Sequence, residues 1–348
     1  MKRNEDYFRG CLIGGAIGDA LGAPVEFLRH AEIERRYGRG GIRELEPGPS
    51  GKAKITDDTQ MTIFTAEGIL RAAARGNRRG ICHPPTAVFY AYQRWLLTQG
   101  YPEVEQNALA NKSWLLNVKE LFAIRAPGNT CLSALKSRKM GSMAEPINNS
   151  KGCGGVMRVA PAGLFYCGED AFRMGAEFAA LTHGHPSGYL SAGVLAYLVA
   201  ALIGGAELEA AIEQALVILG SYAGHDECTQ ALEQAVALAR EDCPDLEAVT
   251  RLGEGWVGEE TLAIAVYCAL KYRNDFKKAL IVAVNHSGDS DSTGAVTGNI
   301  LGAYLGLSRL PAGWVEKVEL KEVLLQLADD LLTGYEDSES WQERYPGY

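Results

Sequence analysis

The sequence predicts an all-α protein built as one compact domain, and three observations carry that expectation. Helical apolar periods recur along nearly the whole chain, as in residues 55–75, where Met61, Ile63, Phe64, Ile69 and Leu70 form a stripe. No strand-length alternating run and no alternation of strand with helix interrupts them. Nor does a Pro/Ser-rich linker or a shift in composition divide the 348 residues, although that length would also suit two domains.

Taken in order, residues 10–23 (GCLIGGAIGDALGA) place Leu12, Ile13, Ile17 and Leu21 at helical spacing with Gly and Ala between them, the pattern of a close-packed buried helix. Pro24 should end it, because the residue before proline is steered from the α region, and Glu26 then falls in a turn. Residues 29–54 carry many charges, five glycines and two prolines, and read as a mobile surface loop able to act as a lid. Thr56, Asp57 and Asp58 open the next helix. One such oxygen suffices for a cap, so the surplus calls for a partner, most simply a cation.

Residues 85–97 and 113–123 read as aromatic-rich helices, and residues 127–130 as a turn before a helix at 131–137. The loop at 148–157 (NNSKGCGGVM) offers backbone N–H groups to an anion, yet it lacks both a Walker ending and a GxGxxG after a strand. A plain turn explains it equally well. His183 and His185 precede a helix reaching residue 202, without the further ligands zinc needs, so a ligand contact or a capping role fits better. Residues 208–219 and 228–240 are amphipathic helices without visible chemistry. In GEGWVGEETLAIAVYCAL (253–270), Trp256 is a loop anchor or a stacking surface, and Glu259 and Glu260 suit the first turn of a helix. A helix at 274–284 leads into residues 285–306, and an amphipathic helix near 318–332 closes the chain.

The stretch 285–306 (NHSGDSDSTGAVTGNILGAYLG) opens a small-residue helix with Asp289, Ser290, Asp291, Ser292 and Thr293, oxygen donors suited to hard cations. With residues 56–58 this makes two acidic helix starts, a ligand set for two Mg²⁺ or Mn²⁺ ions, provided the two ends of the chain meet.

Composition limits the alternatives. Hydrophobic residues make up 47%, charged residues 22%, and the net charge of -9 disfavours nucleic acid as a partner. Eight cysteines scattered without a CxxC pair argue against a zinc ribbon or a disulfide framework. Glu5, Asp6 and Asp19 spoil the beginning as a signal peptide, no run reads as long or pure enough to span a bilayer, and the expected location is the cytoplasm.

Seven segments, GCLIGGAIGDALGAPVEF (10–27), TDDTQM (56–61), GNTC (128–131), GCGGVMRVAP (152–161), TH (182–183), GWVGEETL (255–262) and SGDSDSTGA (287–295), together resemble the ADP-ribosylglycohydrolases. The resemblance implies a compact all-α fold and a binuclear magnesium or manganese site. It implies metal-site roles for Thr56, Asp57, Asp58, Asp289, Asp291 and Ser292, and a catalytic set of Asp58, Asp291 and Glu26. Gly152, Gly154, Gly155, Val156 and Met157 resemble a diphosphate-binding loop, His183 a ribose contact, and Asn129 joins them as substrate-binding. The activity implied is hydrolysis of the bond between ribose C1 and a modified protein side chain, reversing mono-ADP-ribosylation. The GDSDSTG form favours an arginine acceptor and so an N-glycosidic bond. Partners implied are an ADP-ribosylated protein, the ADP-ribose product and an ADP-ribosyltransferase or toxin, with the chain acting as a monomer. Cys153 departs from the family's frequent Asn, and Ser287 from its frequent Gly. A non-enzymatic or partner-blocking member of the fold and a two-metal phosphohydrolase of ADP-ribose-type nucleotides are the competing readings.

Overall fold

The computed structural model describes residues 2–109 and 112–347. Among these, the helices are α1 (Glu5–Gly22), α2 (His30–Tyr37), α3 (Asp57–Arg79), α4 (Pro84–Thr98), α5 (Gln106–Leu109) and α6 (Asn129–Lys136). The middle of the chain adds α7 (Ala160–Phe165), α8 (Gly168–Ala180), α9 (Pro186–Gly204), α10 (Leu208–Leu219), α11 (Asp226–Arg240) and α12 (Asp245–Leu252). The last third adds α13 (Gly258–Lys271), α14 (Phe276–Val284), α15 (Ser290–Leu305), α16 (Ala312–Lys317), α17 (Lys321–Thr333) and α18 (Glu339–Arg344). No strand forms among the described residues, and one hydrophobic core extends from Phe8 to Tyr345.

The fold is organised on α1 and α15, which run antiparallel with their backbones in contact. Gly10, Gly14 and Gly18 of α1 face Gly302, Gly298 and Gly294 of α15, so the four-residue glycine spacing makes a flat stripe on each helix. A Cβ at Gly14 would lie 2.3 Å from the Gly298 carbonyl oxygen, and one at Gly18 would lie 1.9 Å from that of Gly294. Only the absence of side chains permits this approach. Asn299 adds a hydrogen bond across the pair, its Nδ2 donating to the Cys11 carbonyl at 2.9 Å. The crossing brings the C-terminal end of α1 beside the N-terminal end of α15, which makes one locality from residues far apart in sequence.

Three sequence expectations need correction. Residues 29–54 are not loop throughout, because α2 forms at 30–37, with the Glu32 side chain accepting from the Arg29 N–H at 2.9 Å. Ile33, Ile42 and Leu45 from this segment are buried. Asn285 fastens it by a two-way amide pairing with Ile42, N–H to Oδ1 and Nδ2 to C=O at 2.8 Å each, and the Ser287 hydroxyl accepts from the His30 N–H. The short apolar positions were hidden by the surrounding charges. Residues 113–123 form two 3-10 turns, Trp114–Asn117 and Lys119–Leu121, rather than a helix; Val118 is extended between them and only Leu115 and Leu121 are fully buried. Finally, α9 is, by length and composition, apolar enough to cross a membrane, contrary to expectation, yet 78% of its most apolar 18-residue window is buried within the fold. It is apolar all round because α7, α8, α10 and α13 surround it.

A buried ion triad braces α3 against α4. Glu67 accepts from Arg71 Nε at 2.7 Å and from Arg94 Nη2 at 2.8 Å, and all three side chains are almost wholly buried. The guanidinium groups also donate to the carbonyls of Lys112 and Ala108, which fastens those two backbone positions to the triad.

Candidate metal centre

The start of α3 is held by a residue from α1. Asp19, fully buried, accepts from the Thr56 N–H at 3.0 Å and the Thr59 N–H at 3.1 Å, as well as from the Thr59 hydroxyl. Thr56 Oγ1 accepts from the Asp58 N–H at 3.3 Å. These contacts satisfy the free donors of the helix start, so neither Asp57 nor Asp58 is needed as a cap. Asp57 Oδ2 accepts from the Gly128 N–H at 3.2 Å, while Asp58 Oδ2 is buried without any hydrogen-bond partner.

The start of α15 supplies the opposite wall. Gly288, at φ +143, allows the turn in which the Asp289 N–H donates to the Glu254 carbonyl at 2.8 Å; a Cβ there would lie 1.9 Å from that oxygen. Asp289 Oδ1 then accepts from the Ser292 N–H at 3.2 Å, and Oδ2 accepts from the Cys153 thiol at 2.7 Å. Glu26, Asp289 and Asp291 each bring one carboxylate oxygen to within 4.8 Å of the others.

These walls enclose a cavity of about 330 Å³ lined by Glu26, Asp57, Asp58, Asp289, Asp291 and Ser292, with Asn129, Gly152, Gly154, Met157 and His183 on its remaining sides. Three expected site residues are not among those that line the cavity. Thr56 is engaged in capping α3 and does not line the cavity. Gly155 and Val156 lie behind the loop, where Gly155 packs beneath Ala179 and the Gly188 carbonyl: a Cβ on it would meet them at 3.0 and 2.8 Å. The glycine segment is a 3-10 turn, and its three-residue repeat brings Gly154 and Met157 to the cavity while Gly155 and Val156 turn away from it.

Electrostatics agree with the geometry. Burial, then Asp289 and Asp57, push the Glu26 carboxyl up to about 9. Burial, then Asp19 and Asp289, push Asp57 up to about 8 against the opposing Gly128 hydrogen bond. Asp58 and Asp291 are likewise raised well above the usual carboxylate range, by burial first and neighbouring acids second. Among the described residues no Lys, Arg or His pairs with Glu26, Asp57, Asp58, Asp289 or Asp291 at salt-bridge distance. So many carboxyls in one buried cavity would repel one another if ionised, and a cation is the counter-charge the protein does not itself provide. The donor set is oxygen-rich, and Asp58, whose Oδ2 is buried without a partner, lines the same cavity, so the residues fit divalent metal.

His183 is neutral: burial, then the Arg158 charge, lower it to about 3. Its Nδ1 contacts the Thr182 hydroxyl at 2.8 Å, and a Cβ at Gly152 or Gly154 would fall within 3.4 or 3.2 Å of Nε2, so both glycines let the loop rest on the ring. Its sequence neighbour His185 is instead the cap of α9, its Nδ1 accepting from the Ser187 N–H at 3.1 Å. Trp256 is no buried anchor; it stacks on the exposed Phe27 ring at the cavity mouth, centroids 5.8 Å apart, and Arg29 pairs with Glu254 beside them. Glu260 holds this turn by accepting from the N–H groups of Glu254 and Gly255, each at 3.1 Å.

Asp19 and Arg158 were missed as site-forming residues. The signal was present, since each is a lone charge in an otherwise apolar stretch and such a residue must find partners when buried. Arg158, fully buried, donates to Thr182 Oγ1 at 2.6 Å and to the Phe178 carbonyl, contacts Cys131 Sγ, and lies 4.3 Å from the Tyr92 ring centroid.

Comparison with known proteins gives a consistent picture. The chain is 28% identical over 330 residues to an ADP-ribosyl-[dinitrogen reductase] glycohydrolase of Rhodospirillum rubrum, with 91% of this chain and 92% of the relative covered. It is 26% identical to the ADP-ribosylhydrolase ARH3 of Mus musculus over 97% of this chain and 94% of the relative. It is also 26% identical to the ADP-ribosylarginine hydrolase Tri1 of Serratia proteamaculans, covering 94% and 79%. A solved structure described as an ADP-ribosylglycohydrolase-related protein complex superposes with a TM-score of 0.63 at 27% identity, over 96% of this chain and 99% of the other. The family profile of the ADP-ribosylglycohydrolases spans residues 1–340. With its acidic helix starts meeting across the α1–α15 crossing, the chain belongs to the ADP-ribosylglycohydrolase family.

Proposed function

We propose that this protein is a metal-dependent ADP-ribosylhydrolase that releases ADP-ribose from modified arginine side chains, using two Mg²⁺ or Mn²⁺ ions. The family membership supports ADP-ribosylhydrolase activity. One observation carries the metal reading: five carboxyls converge on one cavity without a basic partner, and one of their oxygens, Asp58 Oδ2, is buried and unpartnered. Asp57, Asp58, Asp289, Asp291, Ser292 and Glu26 would hold the ions, which supply Lewis acidity toward sugar hydroxyls and water when bound.

The chain's own residues provide the rest. Asp58 is the proposed proton acceptor, because it lines the cavity and one of its oxygens has no hydrogen-bond partner, with Asp291 on the same cavity. Glu26 completes the acid set, and His183, held neutral, offers Nε2 as a ribose contact without adding charge. Gly152 and Gly154 leave room for the diphosphate against the loop. Phe27 and Trp256 present a flat apolar face at the mouth. Positioning by these groups is the proposed main contribution to rate.

The arginine acceptor is supported by the GDSDSTG form of the motif and by similarity to a relative named as an ADP-ribosylarginine hydrolase; similarity to ARH3 makes the acceptor a matter for direct assay. We further propose a cytoplasmic monomer acting on an ADP-ribosylated protein; cysteines that form no disulfide among the described residues suit a reducing compartment. The test is incubation with peptides ADP-ribosylated on arginine or serine, with Mg²⁺ or with a chelator. Free ADP-ribose from the arginine peptide, abolished by chelation, is expected. AMP with ribose phosphate would establish a phosphohydrolase instead, and unchanged release by Asp58→Ala would sink the catalytic assignment.

A further inference from the structure

Cys153 is the soft donor that touches the acidic wall of the centre; Cys131 and Met157 bring further sulfur to the same cavity. Its backbone is fixed, the N–H donating to the Trp256 carbonyl at 3.2 Å, and Gly152 beside it bridges to Val257. The side chain is thereby held over the acidic wall, where the thiol donates to Asp289 Oδ2 at 2.7 Å. That oxygen belongs to a carboxylate that clusters with Glu26 and Asp291 within 4.8 Å. Independently, Asp58 lines the same cavity, is 3% exposed, and leaves Oδ2 without any protein partner. Cys153 and Asp58 line one cavity, and the Ser292 side chain interacts with both.

We propose that Cys153 is a metal ligand of this chain, which turns part of the hard centre into a mixed sulfur–oxygen site for thiophilic divalent cations such as Zn²⁺ or Co²⁺. The inference rests on the reading of the cavity as a metal centre. Oxygen-only sites suit Mg²⁺ and Mn²⁺, whereas a thiolate shifts preference toward Zn²⁺ and the later transition metals. When Asp289 turns Oδ2 toward a cation, the S–H group loses its acceptor and the sulfur is left beside the same ion. The metal–sulfur bond forms as the S–H bond breaks, and the proton passes to buffer. No oxidant or further reactant is needed. A zinc-loaded centre of this kind would compete with the magnesium- or manganese-loaded one for the same carboxylates.

Titration of the metal-free full chain with Co²⁺ tests this by absorption alone. Visible d–d bands report cobalt in the centre, and a near-ultraviolet thiolate-to-cobalt band reports sulfur bound to it. Both are expected in the wild type. In Cys153→Ser, shown to be folded by its helical circular dichroism, the d–d bands should remain and the thiolate band should vanish. Zn²⁺ affinity should fall by about tenfold or more, the scale on which even outer-shell partners act, with Mn²⁺ affinity changed far less. Visible bands without a thiolate band in the wild type, or a thiolate band that persists in Cys153→Ser, would overturn the inference while leaving the metal centre intact. Failure to bind cobalt at all would remove the metal reading, and this one with it.

Discussion

Replacing Gly18 by alanine should damage both stability and the metal centre, because the α1–α15 crossing has no room for a methyl group. A Cβ at Gly18 would sit 1.9 Å from the Gly294 carbonyl oxygen, 2.3 Å from its carbon and 2.9 Å from the Ala295 nitrogen. All three are backbone atoms, so no side chain can swing aside. Restoring an ordinary contact requires the helices to part by at least about 1 Å along a stripe that is otherwise in register, and overpacking of this kind costs about 1–3 kcal/mol. Alanine returns up to about 1 kcal/mol through its better helix propensity. Since the obstruction is backbone, the upper end applies and the net loss should be about 2 kcal/mol. Gly204→Ala is the control: that position ends α9 with nothing within 4 Å of the added carbon, so the same change should be neutral or stabilise by up to about 1 kcal/mol. Urea unfolding of the two variants beside the wild type gives the comparison. Calorimetric titration with Mn²⁺ should also show weaker binding in Gly18→Ala, because Asp19 and Glu26 leave α1 on one side and Asp289 and Asp291 lie on the other. Equal stability of Gly18→Ala and Gly204→Ala would refute the reasoning.

Three further outcomes are expected. Glu67→Gln leaves the buried Arg71 and Arg94 guanidiniums without their counter-charge and should destabilise by about 3–5 kcal/mol, measurable by denaturant unfolding with activity assayed below the transition. Asp291→Ala should abolish activity and weaken metal binding while sparing, or even raising, the stability of the metal-free protein, since it removes one member of a repelling cluster; a marked loss of metal-free stability would contradict this. In the metal-free protein, Glu26 and Asp57 hold protons up to about 9 and about 8, well above the values of an unfolded chain. The native state therefore binds more protons than the unfolded one between about pH 4 and 9, so this contribution to stability is complete below that window and is lost as pH rises through it. Melting temperatures measured with a chelator should fall across the window, and saturating Mg²⁺ should flatten the fall; a rise with pH under chelation would count against the buried protonated cluster.

How much of the site could be read from the residues depends on the range of the cause. Asp57, Asp58, Asp289 and Asp291 were legible because they sit in local excesses of oxygen side chains at helix starts, more than one cap uses, even though Asp289 does cap α15. Thr56 shows the limit of such local reading, since its hydroxyl acts as the cap and a carboxylate that holds the same helix start comes from Asp19 on another helix. Residues 29–54 misled because their net composition is that of a loop, while three scattered apolar residues, Ile33, Ile42 and Leu45, suffice to seat them.

By itself the sequence determined the all-α class, most of the long helices, the buried character of α1, and the chemistry of the two acidic clusters, because periodicity, capping and donor type act over a few residues. Tertiary structure alone decided that the two clusters share a cavity, that Asp19 organises one of them from outside, and that the Cys153 thiol lies on Asp289. Those outcomes depend on which helix faces mate. The mating of α1 with α15 follows from two glycine stripes whose fit becomes visible only when the backbones are in contact.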